Sequence, residues 1–160
     1  EELLPFCGQD VEVDGLMSTE ADLGAVVDQT LAKGNNRWLF VILSDLFEDP
    51  ENIRSALARI RHRRHDAIVF QILDETELEF RFNEPTVFDG LEGESRVRVN
   101  PQAIRADYLA AVRAHLQAIE RATLSFGFDY QLVKNGSYLG PTLAQFVAVR
   151  NAKIKKTKMG

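Results

Sequence analysis

The run Arg37-Trp38-Leu39-Phe40-Val41-Ile42-Leu43-Ser44-Asp45 constrains this chain more than any other stretch. It is too short to span a membrane and carries no polar alternation. Such a run suits a strand buried on both faces, as in a parallel sheet covered by helices. It stops at a hydroxyl and a carboxylate, at the strand end where parallel sheets place their ligands.

The rest of the chain supplies the layers around that strand. Its 160 residues make one domain by size, large enough to bury a core. With 45% apolar and 27% charged residues it has the balance of a globular protein, which excludes a disordered tail. The formal charge is −5, yet Lys153, Lys155, Lys156 and Lys158 crowd the C-terminal end, so the body is more acidic than the total and ill suited to nucleic acid. The single Cys7 has no partner for a disulfide or a zinc site, which fits a reducing, cytoplasmic compartment. No stretch approaches the roughly 20 apolar residues of a spanning helix, and no signal-peptide pattern opens the chain. The opening Glu1-Glu2, without a methionine, suggests a piece of a longer protein.

Residues 1–17, with Val11 and Val13 alternating between Gly8 and Gly15, fit a brief strand or a linker. From Ser18 or Thr19 a helix is expected: Glu20 and Asp22 suit its first turn, Leu23, Val26, Val27 and Leu31 its apolar stripe, and Gly34 its end. Asn35-Asn36 then turn the chain into the apolar strand. Asp49-Pro50 marks a cap followed by proline at the first helical position, with Ile53, Leu57 and Ile60 as the buried stripe. Arg59, Arg61, Arg63 and Arg64 gather at the end of that helix, where cations favour its dipole. A second buried strand, residues 67–73, ends on Asp74. Strand, helix and strand make a βαβ unit, which brings Asp45 and Asp74 to the same sheet edge.

Residues 79–82 and 96–99 alternate around the turn pairs Asp89-Gly90 and Glu92-Gly93, which predicts an antiparallel hairpin inserted near 79–99. Asn100-Pro101 repeats the cap-and-proline start, and Ile104, Tyr108, Val112, Leu116 and Ile119 carry a long helix towards Gly127. Residues 128–133 give a third strand, Pro141 opens a last helix, and a loose basic tail is expected over 153–160. The fold class is α/β: a three-layer, partly parallel, Rossmann-like sheet with helices on both faces.

Asp45, at a strand end, can ligate a hard cation such as Mg2+ or simply cap the loop that follows. Asp74 is better read as the cap of a helical turn ending at Leu78. His62 and His65 stand three residues apart, but the surrounding arginines oppose a cation there, and the pair reads as part of a helix terminus. His115, beside a core position, reads as a surface or boundary residue. No glycine-rich phosphate loop occurs, and Ser44 lacks the flanking glycines of a nucleophile elbow.

Several of these elements follow one another in a familiar order. They are residues 41–47, Arg61-His62-Arg63-Arg64-His65 before a strand, Leu73-Asp74 with Glu77-Leu78, Leu91-Glu92-Gly93-Glu94, Asn100-Pro101 through Tyr108, and Asp129-Tyr130. From about Ser18 to Arg150 the chain resembles the carboxyl-terminal half of the domain of unknown function 58 family. The resemblance implies a von Willebrand factor A-like fold, and members tend to be encoded beside MoxR-type AAA+ ATPases. In A-type domains a divalent cation is held by an Asp-x-Ser-x-Ser loop, a threonine and an aspartate. The resemblance sets Asp45 at the aspartate and Ser18 or Thr19 at the threonine, whereas the Asp-x-Ser-x-Ser element is absent from this chain, so Mg2+ requires that loop to be supplied upstream. Asn135 stands where the family often has threonine.

The resemblance also implies that the strand normally beside 38–44 is missing. Residues 1–17, or a second copy in a homodimer, are expected to fill that edge. The leading reading is a partial A-type domain over 18–152, a non-enzymatic adaptor for a protein partner such as the ATPase, with Arg61, Arg63 and Arg64 as a binding surface. The alternative is a magnesium-dependent α/β enzyme acting on a phosphorylated or acidic small molecule, with Asp45 and Asp74 at its centre.

Overall fold

A computed structural model describes residues 22–33, 36–82, 86–88, 97–136 and 139–159. Ser18, Thr19 and the strand or linker expected in residues 1–17 lie outside these. Helix α1 spans Leu23–Leu31, and its N-cap is Asp22, whose carboxylate accepts from the backbone N–H groups of Gly24 and Ala25. Two bonds to the free N–H groups of the first turn make Asp22 the cap, a residue that the sequence placed inside the helix.

Strand β1 is Leu39–Ser44. Helix α2, Pro50–His62, starts as expected on the Asp49 cap with proline in its first turn, and buries Ile53, Ala56, Leu57 and Ile60. Strand β2, Asp66–Leu73, follows. Asp74 then opens the short helix α3, Glu75–Glu79, through a reciprocal capping box with Glu77. The alternation of residues 79–82 therefore does not become a strand: the capping box draws Glu79 into the helix, and Phe80 turns the chain with a left-handed backbone, φ 46°. Among the described residues of this region two three-residue strands, β3 at Thr86–Phe88 and β4 at Val97–Val99, pair antiparallel. Helix α4, Pro101–Ser125, begins on the Asn100 cap. Strand β5 is Asp129–Lys134, and helix α5 runs Leu139–Met159, which takes in residues 153–159 of the basic stretch.

β1, β2 and β5 form a parallel sheet in the order β1-β2-β5, with Leu39 level with Asp66 and Ile68 level with Asp129. On one face α1, α2 and α4 enclose the main core, in which Val27, Leu46, Ile53, Leu57, Ile60, Val69, Ile119 and Phe128 are almost wholly buried. On the other face α5 covers a smaller cluster of Ile68, Phe70, Val133 and Phe146, with the rings of Phe70 and Phe146 edge to face at 5.0 Å. Arg150 of α5 fastens this cover by bridging Asp129 and Asp66, the first residues of β5 and β2. These are the three layers read from the sequence.

The departure is at β1. Ile42 is buried, but Leu39, Val41 and Leu43 on the opposite face are 49, 51 and 65% exposed, because α5 lies over β2 and β5 and leaves β1 bare. Among the described residues β1 is an edge strand covered on one face. Among the described residues no helix is long and apolar enough to cross a membrane.

The start of β1 is tied to β2 by His65. Its Nδ1 accepts from Trp38 N–H at 3.1 Å, and its ring leans on Phe40 at 5.6 Å. Burial, with the charges of Arg63 and Arg37, holds this imidazole below its ordinary value of 6.5. The folded state thus binds the proton less readily than the unfolded chain, and the bond is fully present above pH 6.5 and lost as pH falls through the lower folded value. The urea midpoint of unfolding should drop between about pH 7.5 and about pH 5. In a His65→Leu variant that part of the drop should vanish.

Candidate functional site

The site lies at the carboxyl edge of the sheet, where β1 runs out at Ser44. The next four residues are fixed mainly through their backbone. Leu46 N–H donates to Ser44 Oγ at 3.1 Å, and Ser44 Oγ in turn donates to Asp45 Oδ1 at 3.3 Å. Asp45 C=O accepts from Gln71 Nε2 at 2.7 Å, and Leu46 C=O lies 2.7 Å from His115 Nε2, which donates to it. Glu48 Oε1 accepts from Leu23 N–H at 2.9 Å, which ties the loop to the start of α1. Leu46 takes a left-handed backbone, φ 55°, and its side chain is 2% exposed. Burial of the leucine in the core offsets a conformation that costs an L-residue about 1–2 kcal/mol. The result is a rigid turn that leaves the Asp45 carboxylate in solvent.

Gln71 is the centre of this arrangement. It is wholly buried in β2, and its two amide atoms face different elements: Nε2 holds Asp45 C=O, and Oε1 accepts from Tyr130 O–H of β5 at 2.9 Å. Burial, then the charge of Glu120, pushes the Tyr130 phenol up to about 12, so it remains a donor across the physiological range. Phe47, half exposed, stacks on His115 at 5.9 Å.

Asp74 does not converge with Asp45. The pairing of β1 with β2 ends at Ser44, level with Gln71, and Asp74 stands three residues past Gln71, beyond the end of β2. Its Oδ1 accepts from the hydroxyl of Thr76 at 2.6 Å and from Thr76 N–H at 2.9 Å, and these bonds hold its carboxyl below the usual aspartate value. Asp74 is a cap, as its sequence context predicts. His62 is exposed while His65 is buried against β1, so the two do not face one site. Among the described residues no group of three or more His, Cys, Asp or Glu is placed to hold a metal ion. As a hard, exposed oxygen donor Asp45 suits Mg2+, with further ligands needed from elsewhere. Arg61, Arg63 and Arg64 lie at the opposite, amino-terminal edge, exposed and apart from Asp45.

His115, Gln71 and Tyr130 were not legible as site residues. His115 contacts a residue 69 positions away, and Gln71 reads only as the one polar interruption of a buried strand. That interruption was the available signal, since a buried amide demands partners.

A parallel sheet with helices on both faces and a carboxylate on the loop after an edge strand defines a three-layer, Rossmann-like α/β domain. The family model described as Protein of unknown function DUF58 matches residues 12–118, and the chain belongs to that family. Comparison with curated proteins and with solved structures returns no significant match.

Gln71→Leu keeps the volume but strands Asp45 C=O and Tyr130 O–H. It should cost about 1–3 kcal/mol in urea unfolding, with faster amide exchange at Leu46. Tyr130→Phe, which removes one donor and leaves the Asp45 bond intact, should cost about 1 kcal/mol.

Proposed function

We propose that the chain is a non-enzymatic interaction domain that associates with protein through the open edge and bare face of β1. The observation that carries this reading is the exposure of Leu39, Val41 and Leu43 on a strand that is apolar on both faces. An edge strand offers unpaired N–H and C=O groups to an incoming strand, and native proteins usually blunt such an edge with charge, proline or a covering element. Among the described residues β1 carries none of these. A contiguous apolar strip beside a free edge is the mark of an association surface.

The family resemblance supports a von Willebrand factor A-like arrangement in which a further strand lies beside β1, and a MoxR-type AAA+ ATPase in the cytoplasm as partner. On this reading the exposed Asp45 is one ligand of a Mg2+ site completed by an Asp-x-Ser-x-Ser loop and by Thr19 or Ser18. The alternative of a magnesium-dependent enzyme draws on Asp45 and Asp74 ending neighbouring strands. It is the weaker reading because Thr76 already engages Asp74.

Light scattering should show concentration-dependent association of the chain, or slow amide exchange along residues 39–43 where the N-terminal segment covers the edge. Val41→Lys should abolish whichever is seen, because a buried lysine lacks a partner there. A monomer with fast exchange along that stretch would sink the proposal. If Mg2+ raises the melting temperature of this chain alone and Asp45→Ala removes the rise, the enzyme reading gains instead.

A further inference from the structure

At the amino-terminal edge of the sheet, Asn36, Arg37, Arg61, Arg63 and Arg64 line an open concavity of about 570 Å³ with no acidic side chain in its wall among the described residues. Among the described residues, Asp66 and Asp129 are engaged by Arg150, and Asp28 by Arg59 one turn earlier on α2. None of the four lining guanidiniums has an ion-pair partner among the described residues. Attraction to the end of the α2 dipole accounts for arginines in the last turn. It does not account for Arg37, which arrives from the segment before β1, or for the backbone of Arg64.

α2 and α4 end in the same way. In each, the residue two past the cap donates to the carbonyl three residues before the cap, and the residue between them takes a left-handed backbone. In α4, Phe128 donates to Thr123 and Gly127 holds φ 77°; in α2, His65 donates to Ile60 and Arg64 holds φ 61°. Glycine is the favoured residue at this position because it has no Cβ to clash. Three non-glycine residues among those described have positive φ, and two of them, Leu46 and Phe80, bury their side chains. Arg64 is exposed. Its side chain contributes nothing to the core that would offset the strained backbone, so the fold alone does not explain an arginine here.

We propose that the concavity of Arg37, Arg61, Arg63 and Arg64 is a docking surface for an acidic, carboxylate-bearing segment of a partner protein. The proposal rests on the reading of the chain as an interaction domain and gives that partner its chemistry. Guanidinium forks grip carboxylates through paired N–H donors, and four of them around one open hollow suit several side chains of an extended segment. A nucleic acid would extend beyond the hollow over a chain whose formal charge is −5, where its phosphates would be repelled.

The test uses the full chain and a fluorescein-labelled octaglutamate peptide, followed by anisotropy. Binding should be present at about 50 mM salt and greatly weakened at about 500 mM. The Arg61→Ser/Arg64→Gly double variant should bind about tenfold more weakly. Arg64→Gly alone should also weaken binding while raising the melting temperature, because glycine relieves the left-handed backbone, so lost binding cannot be blamed on unfolding. The proposal is overturned if the peptide does not bind, if binding survives both variants, or if inorganic phosphate or a single-stranded oligonucleotide of equal charge binds as tightly. Val41→Lys, at the other surface, should leave peptide binding intact, so this proposal and the β1-edge association can fail separately.

Discussion

Among the described residues β2 is the strand of the parallel sheet with a neighbour on each side, and the need to satisfy its polar groups shapes most of what surrounds it. Its backbone is met by β1 and β5. The amide of Gln71 is met by the loop after β1 and by the β5 tyrosine. At its start, Asp66 is met by Arg150 of α5, and the preceding His65 by the N–H of Trp38. Together these bonds join β2 and the residue before it to β1 and its flanking loops, to β5 and to α5. Left without a partner, the wholly buried Gln71 amide would cost about 1–3 kcal/mol, a sizeable share of a domain's net stability. The Asp45 turn is rigid as a by-product of this requirement: its carbonyl is where the Gln71 amide finds a partner.

The sheet consequently has two chemically distinct ends. At the carboxyl end the loop presents an exposed carboxylate on a fixed backbone. At the amino end the acids are engaged and the arginines are left open to solvent. Between them the main core lies on one face and a smaller one on the other. The apolar stripe of β1 is the place where burial stops short of what the strand's composition allows.

Signals carried by adjacent residues were legible. Asp49-Pro50 and Asn100-Pro101 marked two helix starts, because a cap and a proline act within one turn. The three-layer α/β class followed from the apolar runs at 39–43 and 67–73. Relationships that depend on distant packing were not legible. Full burial was expected for β1, yet its second face is bare because of where α5 settles, a placement set by Phe146 and Arg150 more than a hundred residues later. The alternation at 79–82 was a real pattern defeated by a local competitor: Asp74-Glu75-Thr76-Glu77 spells a capping box, and the helix it starts takes in Glu79. The bond between His115 and Leu46 had no local trace at all.

The open edge of β1 has a consequence for fidelity. Along the bare face the pattern is leucine, valine, leucine, so an incoming strand shifted by two residues meets nearly the same surface as one in frame. A free strand edge also admits partners running in either direction. Apolar contact can therefore supply adhesion here without supplying alignment. Alignment has to be imposed by the ends of the strand, where Trp38 at one limit and the Ser44–Asp45 turn at the other break the repeat and make one frame distinguishable from the next.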